Sequence, residues 1–376
     1  MHALSRKMLA FVRRETVLCA AWVLALASML LIPPDGAYAA YPDWHTLALL
    51  FCLMAVTSAL RDAGTFSRLA HALLRRTHRT RALEGVLMLL CFFSSMLITN
   101  DVALITFVPF AIEVLLLAGM KKRIPFLIVL LTLAANLGSM ATPIGNPQNL
   151  YLYARYGLSA RDFLVQVGPF ALVSLALLCT ALLLSPSRPL DTAALAAEEP
   201  RMSGARRVEI TAFALLALCL LTVARIVPLP LTASAVVAAL LAIDRKAFAR
   251  VDYALLFTFL GFFIFIGNMG RVDAFSQLLS RLLTGREVEV SILLSQIISN
   301  VPAALLLSGF TESGASLLIG TNLGGLGTLI ASMASLISYK AIARALPSEK
   351  GRYFRLFTAL NIAFLAVLYA VYALLF

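Results

Sequence analysis

The stretch Ser95-Met96-Leu97-Ile98-Thr99-Asn100-Asp101 interrupts an apolar run that extends from Leu83 to Ala118. Two hundred residues on, Ser295-Gln296-Ile297-Ile298-Ser299-Asn300-Val301 interrupts a second run, Val288 to Phe310. Polar residues in mid-run break a helix at membrane depth. Non-helical backbone is tolerated there only where protein buries it or a cavity hydrates it. Each interruption is therefore read as the tip of a re-entrant helical hairpin, at about 83–118 and about 288–310.

Other landmarks recur in the same order. Asp43-Trp44 and Asp252-Tyr253 each open an apolar span, 209 residues apart, and Phe66-Ser67 matches Phe275-Ser276 at that offset. Asn136-Leu137-Gly138 matches Asn322-Leu323-Gly324 at an offset of 186. The offsets shrink as connections in the second copy shorten. Two runs carry breaks of their own, one over Thr142 to Asn149 and one at Gly324-Gly325-Leu326-Gly327-Thr328. They are read as broken helices at about 124–156 and 317–339. Interrupted helices in two related halves are the signature of an alternating-access secondary transporter.

Composition agrees. Of 376 residues, 61% are hydrophobic and 13% charged, against about 25% charged in a soluble domain. An ordinary soluble enzyme, a disordered chain and a disulfide scaffold are excluded. The net charge of +12 is read as a basic cytoplasmic face beside anionic lipid, not as a nucleic-acid surface. The five cysteines lie in apolar runs, and the four histidines show no metal-ligand spacing.

Charge also fixes the expected topology. With re-entrant hairpins and the N-terminus inside, 25 of the 31 basic residues are cytoplasmic, as the positive-inside rule requires. Arg155, Arg161, Arg225, Arg271, Arg281 and Arg286 remain outside. A fully crossing first hairpin would carry Lys121-Lys122-Arg123 outside. Asp43 then starts outside and Asp252 inside, so the halves are expected to be inverted. Ala37-Tyr38-Ala39-Ala40 has the small-residue pattern of a signal-peptidase site, but the repeat needs the preceding helix. The expected fold is an all-α polytopic membrane protein, an inverted repeat with two re-entrant hairpins and two broken helices. Residues 1–184 form the first repeat, with a last helix at 163–184. Residues 185–207 form a cytoplasmic linker, and 208–376 the second repeat.

The polar residues at these breaks are the candidate site. Freed carbonyls, hydroxyls and amide oxygens can replace the water shell of a cation, while half-helix N-termini attract an anion. The first tip contributes Ser95, Thr99, Asn100 and Asp101, and the first broken helix Asn136, Thr142, Pro143, Gly145, Asn146 and Asn149. The second tip contributes Ser295, Ser299 and Asn300, with Thr321, Asn322, Gly324, Gly327 and Thr328 opposite. Asp101 is the acid deepest in an apolar segment, and intramembrane carboxylates are costly and functional. It is read as a Na⁺ ligand, a proton carrier or a structural partner of a hydroxyl. No deep Arg or Lys awaits an anion.

These motifs resemble the ion transporter superfamily, closest to the divalent anion/sodium symporters (citrate transporter-like) and their short anion-permease members. The likeness runs from about Asp43 to Phe376. It implies two sodium sites flanking the substrate, with Ser95, Thr99 and Asn100 at the first and Ser295, Ser299 and Asn300 at the second. The sequence departs from the family at Asp101 and Val301, where both copies would carry Thr. An acid there repels a dicarboxylate and favours proton coupling. Asn146 replaces the acid of the Gly-Asp-Pro form found in arsenite permeases and antiporters.

The expectation is a secondary transporter of a small organic or inorganic anion, coupled to Na⁺ or H⁺, with no cofactor and no resident metal. The alternatives are arsenite efflux, Na⁺/H⁺ antiport and, in another class, a channel. No HExxH or GxSxG turn points to a membrane enzyme. The expected partners are the small anionic substrate and membrane lipid, with no nucleic acid and a homodimer left open. The expected location is the bacterial inner membrane, multi-pass, N-terminus cytoplasmic.

Overall fold

A computed structural model describes residues 12, 15–74, 77–189 and 205–376. Arg6, Lys7, Arg13, Arg14, Arg75, Arg76, Arg201 and most of the expected linker lie outside them. Among the described residues, seven helices are long and apolar enough to cross a membrane. The chain is a multi-pass, all-α membrane protein. Large apolar side chains such as Leu30, Leu172, Leu184, Ile297 and Leu374 face outward, while asparagines and serines are buried. That is the reverse of a soluble fold, and it suits lipid as solvent.

The first half runs α1 (Thr16–Leu31), α2 (Trp44–Asp62), α3 (Thr65–Leu74), α4 (Thr80–Ile98), α5 (Asn100–Leu117), α6 (Ile124–Ser139), α7 (Pro147–Arg155) and α8 (Ala160–Leu183). The second runs α9 (Ala205–Val223), α10 (Leu229–Ile243), α11 (Lys246–Ala249), α12 (Tyr253–Gly270), α13 (Asp273–Leu283), α14 (Glu287–Ile298), α15 (Asn300–Ser308), α16 (Gly314–Gly324), α17 (Met333–Ala345) and α18 (Lys350–Leu375). The matched aspartates do the same work. Asp43 accepts from Thr46 N (3.0 Å) and Asp252 from Leu255 N (2.9 Å), each capping a long apolar helix.

Both hairpins turn back on themselves. Glu84, near the start of α4, is fully buried and meets Arg123, beyond the end of α5, in a two-pronged ion pair at 2.6 Å. Arg123 also donates to Pro186 O (2.6 Å), and Arg81 to Ser185 O (2.5 Å), so the end of α8 closes the same base. In the second hairpin Thr311, beyond α15, donates to Glu287 at the start of α14 (3.3 Å). Tyr156, just before α8 begins, donates to Thr311 O (2.8 Å). The 24 residues of α8, about 36 Å at 1.5 Å per residue, separate the two bases. The hairpins therefore come in from opposite ends.

The packing is crossed. In each half the ingoing arm lies along its own broken helix, α4 on α6 and α14 on α16. The piece after each break instead packs on the other half's returning arm, α17 on α5 and α7 on α15. Likewise α1 packs along α12, with Ala21 against Gly261, while α10 packs on α2. Beside α12, Arg271 pairs with Asp35 at 2.8 Å and holds its carboxyl below the usual range, chiefly through that hydrogen bond. The connector Gly36–Ala40, where the cleavage-like motif lies, is thus docked.

Candidate functional site

The tips owe their shape to backbone that few residues adopt. Thr99 (φ 67°, ψ 150°) and Ser299 (φ 76°, ψ 153°) share one conformation with positive φ. For non-glycine residues this costs on the order of 1–3 kcal/mol and persists only where the surroundings enforce it. The surroundings match. Asn100 N donates to Gly145 O (3.2 Å), and Asn300 N to Ala331 O (3.0 Å). Each returning helix is thus pinned to the break of its own half, and those acceptors are again 186 residues apart.

Side chains extend these links into a buried polar belt. Asn136 Oδ1 accepts from Asn100 Nδ2 (3.1 Å) and from Ser332 Oγ (3.1 Å). Asn136 Nδ2 donates to Ser335 Oγ at 3.4 Å. Asn149 Nδ2 donates to Ser139 O and Thr142 O, both at 3.3 Å, holding the first break, and its Oδ1 accepts from Asn322 Nδ2 (2.8 Å). All of these asparagines are buried. Asn100 Oδ1 accepts from Asp101 N (2.9 Å).

Several polar atoms of the belt have no protein partner. Asp101 Oδ1, Asn146 Oδ1, Asn322 Oδ1 and both amide atoms of Gln148 are buried without one. Buried polar groups are normally bonded, so this unmet capacity makes the belt the candidate site. It consists of oxygens and carboxamides. The charged side chains among the buried described residues are Glu84 and Glu287 at the hairpin bases.

Other sequence-selected residues have humbler settings. Ser95 Oγ donates to Phe92 O (2.8 Å) and Ser295 Oγ to Ser291 O (2.6 Å). Each lies where a Cβ on Gly138 or Gly324 would intrude, so these pairs let hairpin and broken helix touch. Thr321 bonds Leu317 O of its own helix. A Cβ on Gly145 would strike the Ser139 backbone, and Pro143 lies in the same break. Thr142 Oγ1 donates to Met96 O (2.5 Å), and Thr328 Oγ1 to Gln296 O (3.3 Å). Thr328 is exposed and stands apart from the belt.

The sequence reading ended the second break at Thr328 and so missed Ser332 and Ser335. They were legible, since they stand 186 residues after Asn146 and Asn149. Gln296 was missed too. Its side chain spans the second break, accepting from Thr328 N (2.8 Å) and donating to Leu326 O (2.9 Å).

With this geometry in view, known proteins supply the lineage. The citrate transporter family profile matches residues 6–315. The chain belongs to that family. It is 32% identical over 302 residues to an uncharacterized transporter of Methanocaldococcus jannaschii, covering 79% of this chain and 81% of that one. It is 32% identical over 310 residues to the inner membrane protein YbiR of Escherichia coli, covering 79% and 80%. A shorter match, 34% over 168 residues, joins 45% of this chain to 34% of the silicon efflux transporter LSI3 of rice. This family member is a membrane transporter.

Proposed function

We propose that the chain is a secondary active transporter of a small anion in the bacterial inner membrane, coupled to Na⁺ or H⁺ by alternating access. Residues 1–184 and 208–376 act as inverted halves, and the N-terminus is cytoplasmic. The observation that carries this reading is the reciprocity of the belt. Asn136 reaches Ser335 and Asn322 reaches Asn149, each from a broken helix to a position 13 residues further along in the other half. A pseudo-two-fold axis through the belt relates such bonds, and rocking about it exposes one site to either side in turn. Hairpins from opposite ends of α8 support the inversion. Lys121, Arg123, Arg81 and Arg188 cluster at one base, which the positive-inside rule assigns to the cytoplasm.

The site works by substituting for water. Asn100, Asn136, Asn149, Asn300 and Asn322 present fixed amide dipoles, while Ser95, Thr99, Ser295 and Ser299 line the tips. Asp101 supplies a charge for Na⁺ or a proton to balance the anion. Purified full-length chain in proteoliposomes tests the reading. It predicts uptake of citrate or of a smaller oxyanion above equilibrium, driven by an imposed Na⁺ or pH gradient. Conductance without accumulation favours a channel.

A second reading has its own support. Apart from Asp101, the belt is made of neutral amides and hydroxyls, which both donate and accept. That suits an uncharged polyhydroxylated oxyacid better than a dicarboxylate, and one relative is named a silicon efflux transporter. Efflux of silicic acid or arsenite from loaded vesicles discriminates between the two.

A further inference from the structure

Ala37-Tyr38-Ala39 stands in the setting of a leader peptide. Arg13-Arg14 precede an apolar stretch from Thr16 to Ile32, Pro33-Pro34 end it, and small residues follow at 37 and 39. Basic, apolar and small-residue regions in that order are what a signal peptidase reads, and the cut would fall between Ala39 and Ala40. Yet the apolar stretch is built into the fold. Along the seam of α1 with α12, Ala21 lies against Gly261 and Trp22 Nε1 donates to Phe257 O (3.1 Å). Deeper in that seam Asn268 Nδ2 donates to Ser28 Oγ (2.9 Å), both residues being buried.

Ala37, Ala39 and Ala40 are exposed, so an enzyme can reach them, but their backbone has the wrong shape. A peptide read by strand addition must be extended, whereas Gly36–Ala40 is wound into a 3₁₀ turn. Asp35 caps the turn, accepting from Ala37 N (3.0 Å), and Tyr41 N closes it on Tyr38 O (3.3 Å). The carbonyl of the bond to be cut, Ala39 O, accepts from Trp44 Nε1 (3.3 Å). These bonds lie within residues 35–44 and need nothing from α12. The second half then locks the turn. Asn268 Nδ2 donates to the Tyr38 hydroxyl (2.8 Å), which itself donates to Ile32 O (2.5 Å). Arg271 donates to the Tyr41 hydroxyl (3.0 Å) and pairs with Asp35 (2.8 Å). The Tyr41 ring covers Gly267, where a Cβ would strike it.

We propose that Ala37-Tyr38-Ala39 is a signal-peptidase site that docking on α12 keeps silent, so that a chain whose connector leaves α12 is cut after Ala39. Water adds across the Ala39–Ala40 peptide bond, leaving a carboxylate on Ala39 and an amine on Ala40. The cut removes α1 from chains in which the two halves have not closed on each other. In cells it rests on the cytoplasmic N-terminus proposed above, which puts the connector outside with the peptidase. Cutting follows the fraction of molecules in which the turn is open. Arg271→Ala frees Asp35 and Tyr41, Gly267→Val drives out the Tyr41 ring, and Trp44→Phe frees the Ala39 carbonyl.

The experiment is incubation of purified full-length chain in detergent with a purified bacterial signal peptidase, read by intact mass and by the new N-terminus, with melting checking each fold. The wild type should stay whole. Arg271→Ala and Gly267→Val should each be cut after Ala39 at least about tenfold faster, the equivalent of about 1.4 kcal/mol in the opening equilibrium. Trp44→Phe combined with Arg271→Ala should be cut faster than either alone. Adding Ala39→Leu to Arg271→Ala puts a large residue at the cut and should abolish it. If Gly267→Val fails to fold, Arg271→Ala, which changes an exposed pair, carries the test. A wild type cut as fast as the variants overturns the proposal. So do variants that stay whole, or cutting that persists with Ala39→Leu. Detergent opens both faces of the protein to the enzyme, so this result does not depend on membrane orientation. Variants cut in detergent but whole in cells would overturn the cytoplasmic N-terminus instead.

Discussion

Asn322 donates to Oδ1 of Asn149 at 2.8 Å, joining residues 173 apart in sequence, one on each side of a different helix break. Its counterpart, Asn136 with Ser335, is longer at 3.4 Å. Both bonds cross between halves, so any motion of one half against the other must carry or remake them.

Truncating these amides should therefore uncouple the halves. Asn322→Ala leaves Asn149 Oδ1 buried without its donor, a cost of about 1–3 kcal/mol. We expect transport to fall at least about tenfold, one decade per 1.4 kcal/mol, with expression near wild type. A double-mutant cycle with Asn149→Ala should give a coupling of about 0.5–3 kcal/mol in thermal stability. Additive single losses would show that the two side chains do not act together.

Asp101, like Val301, stands where the resemblance to the symporters implies a Thr. Its Oδ1 is buried without a protein partner, and a carboxylate so placed needs a cation or a proton. Should it cycle a proton, Asp101→Asn loses the pH-gradient dependence of uptake. Should it hold Na⁺, the same change chiefly weakens apparent Na⁺ affinity. Asp101→Thr restores the hydroxyl and should shift driving force from H⁺ to Na⁺. Unchanged responses to both gradients in both variants would make the residue structural.

The glycine crossings give a prediction about packing. A methyl on Gly138 meets the Phe92 backbone carbonyl, which cannot swing away, whereas one on Gly324 meets chiefly the Ser295 side chain. Gly138→Ala should thus destabilise by about 1–3 kcal/mol, and Gly324→Ala by less. Adding Ser295→Ala should recover part of the second loss and none of the first. Gly168→Ala, with open space around it, should be silent in the same melts.

At the hairpin base, the Glu84–Arg123 pair is held at 2.6 Å with Glu84 fully buried. Removing one partner of a buried pair costs about 3–5 kcal/mol, while replacing both with apolar groups is often neutral. Arg123→Met should melt far below wild type, and Glu84→Met with Arg123→Met should recover most of the loss.

That pair also shows what the sequence conceals. Thr99-Asn100 and Ser299-Asn300 stand out because polar residues at the centre of an apolar run must turn the chain. Pro143, Gly145 and Pro147 announce a break because neither Pro has an N–H to donate. Each is a local signal, and α4 and α5 part at Thr99 as α14 and α15 part at Ser299. Glu84 and Arg123 carry no such signal. One opens an apolar helix and the other closes a basic cluster that reads as a solvated loop, and only the fold joins them. Gln296 looks like one more polar residue of an outward-facing arm until the second break folds over it. Ser332 and Ser335 lie between, hidden by weak polarity but marked by the repeat offset.

The central claim is that the belt couples a solute to a cation gradient. Its most direct test is accumulation of labelled solute in proteoliposomes under an imposed Na⁺ or pH gradient, for wild type, Asn100→Ala and Asn300→Ala. The account predicts accumulation above equilibrium by the wild type, abolished by collapsing the gradient and by either substitution. Gradient-independent flux, or wild-type accumulation by both variants, would contradict it.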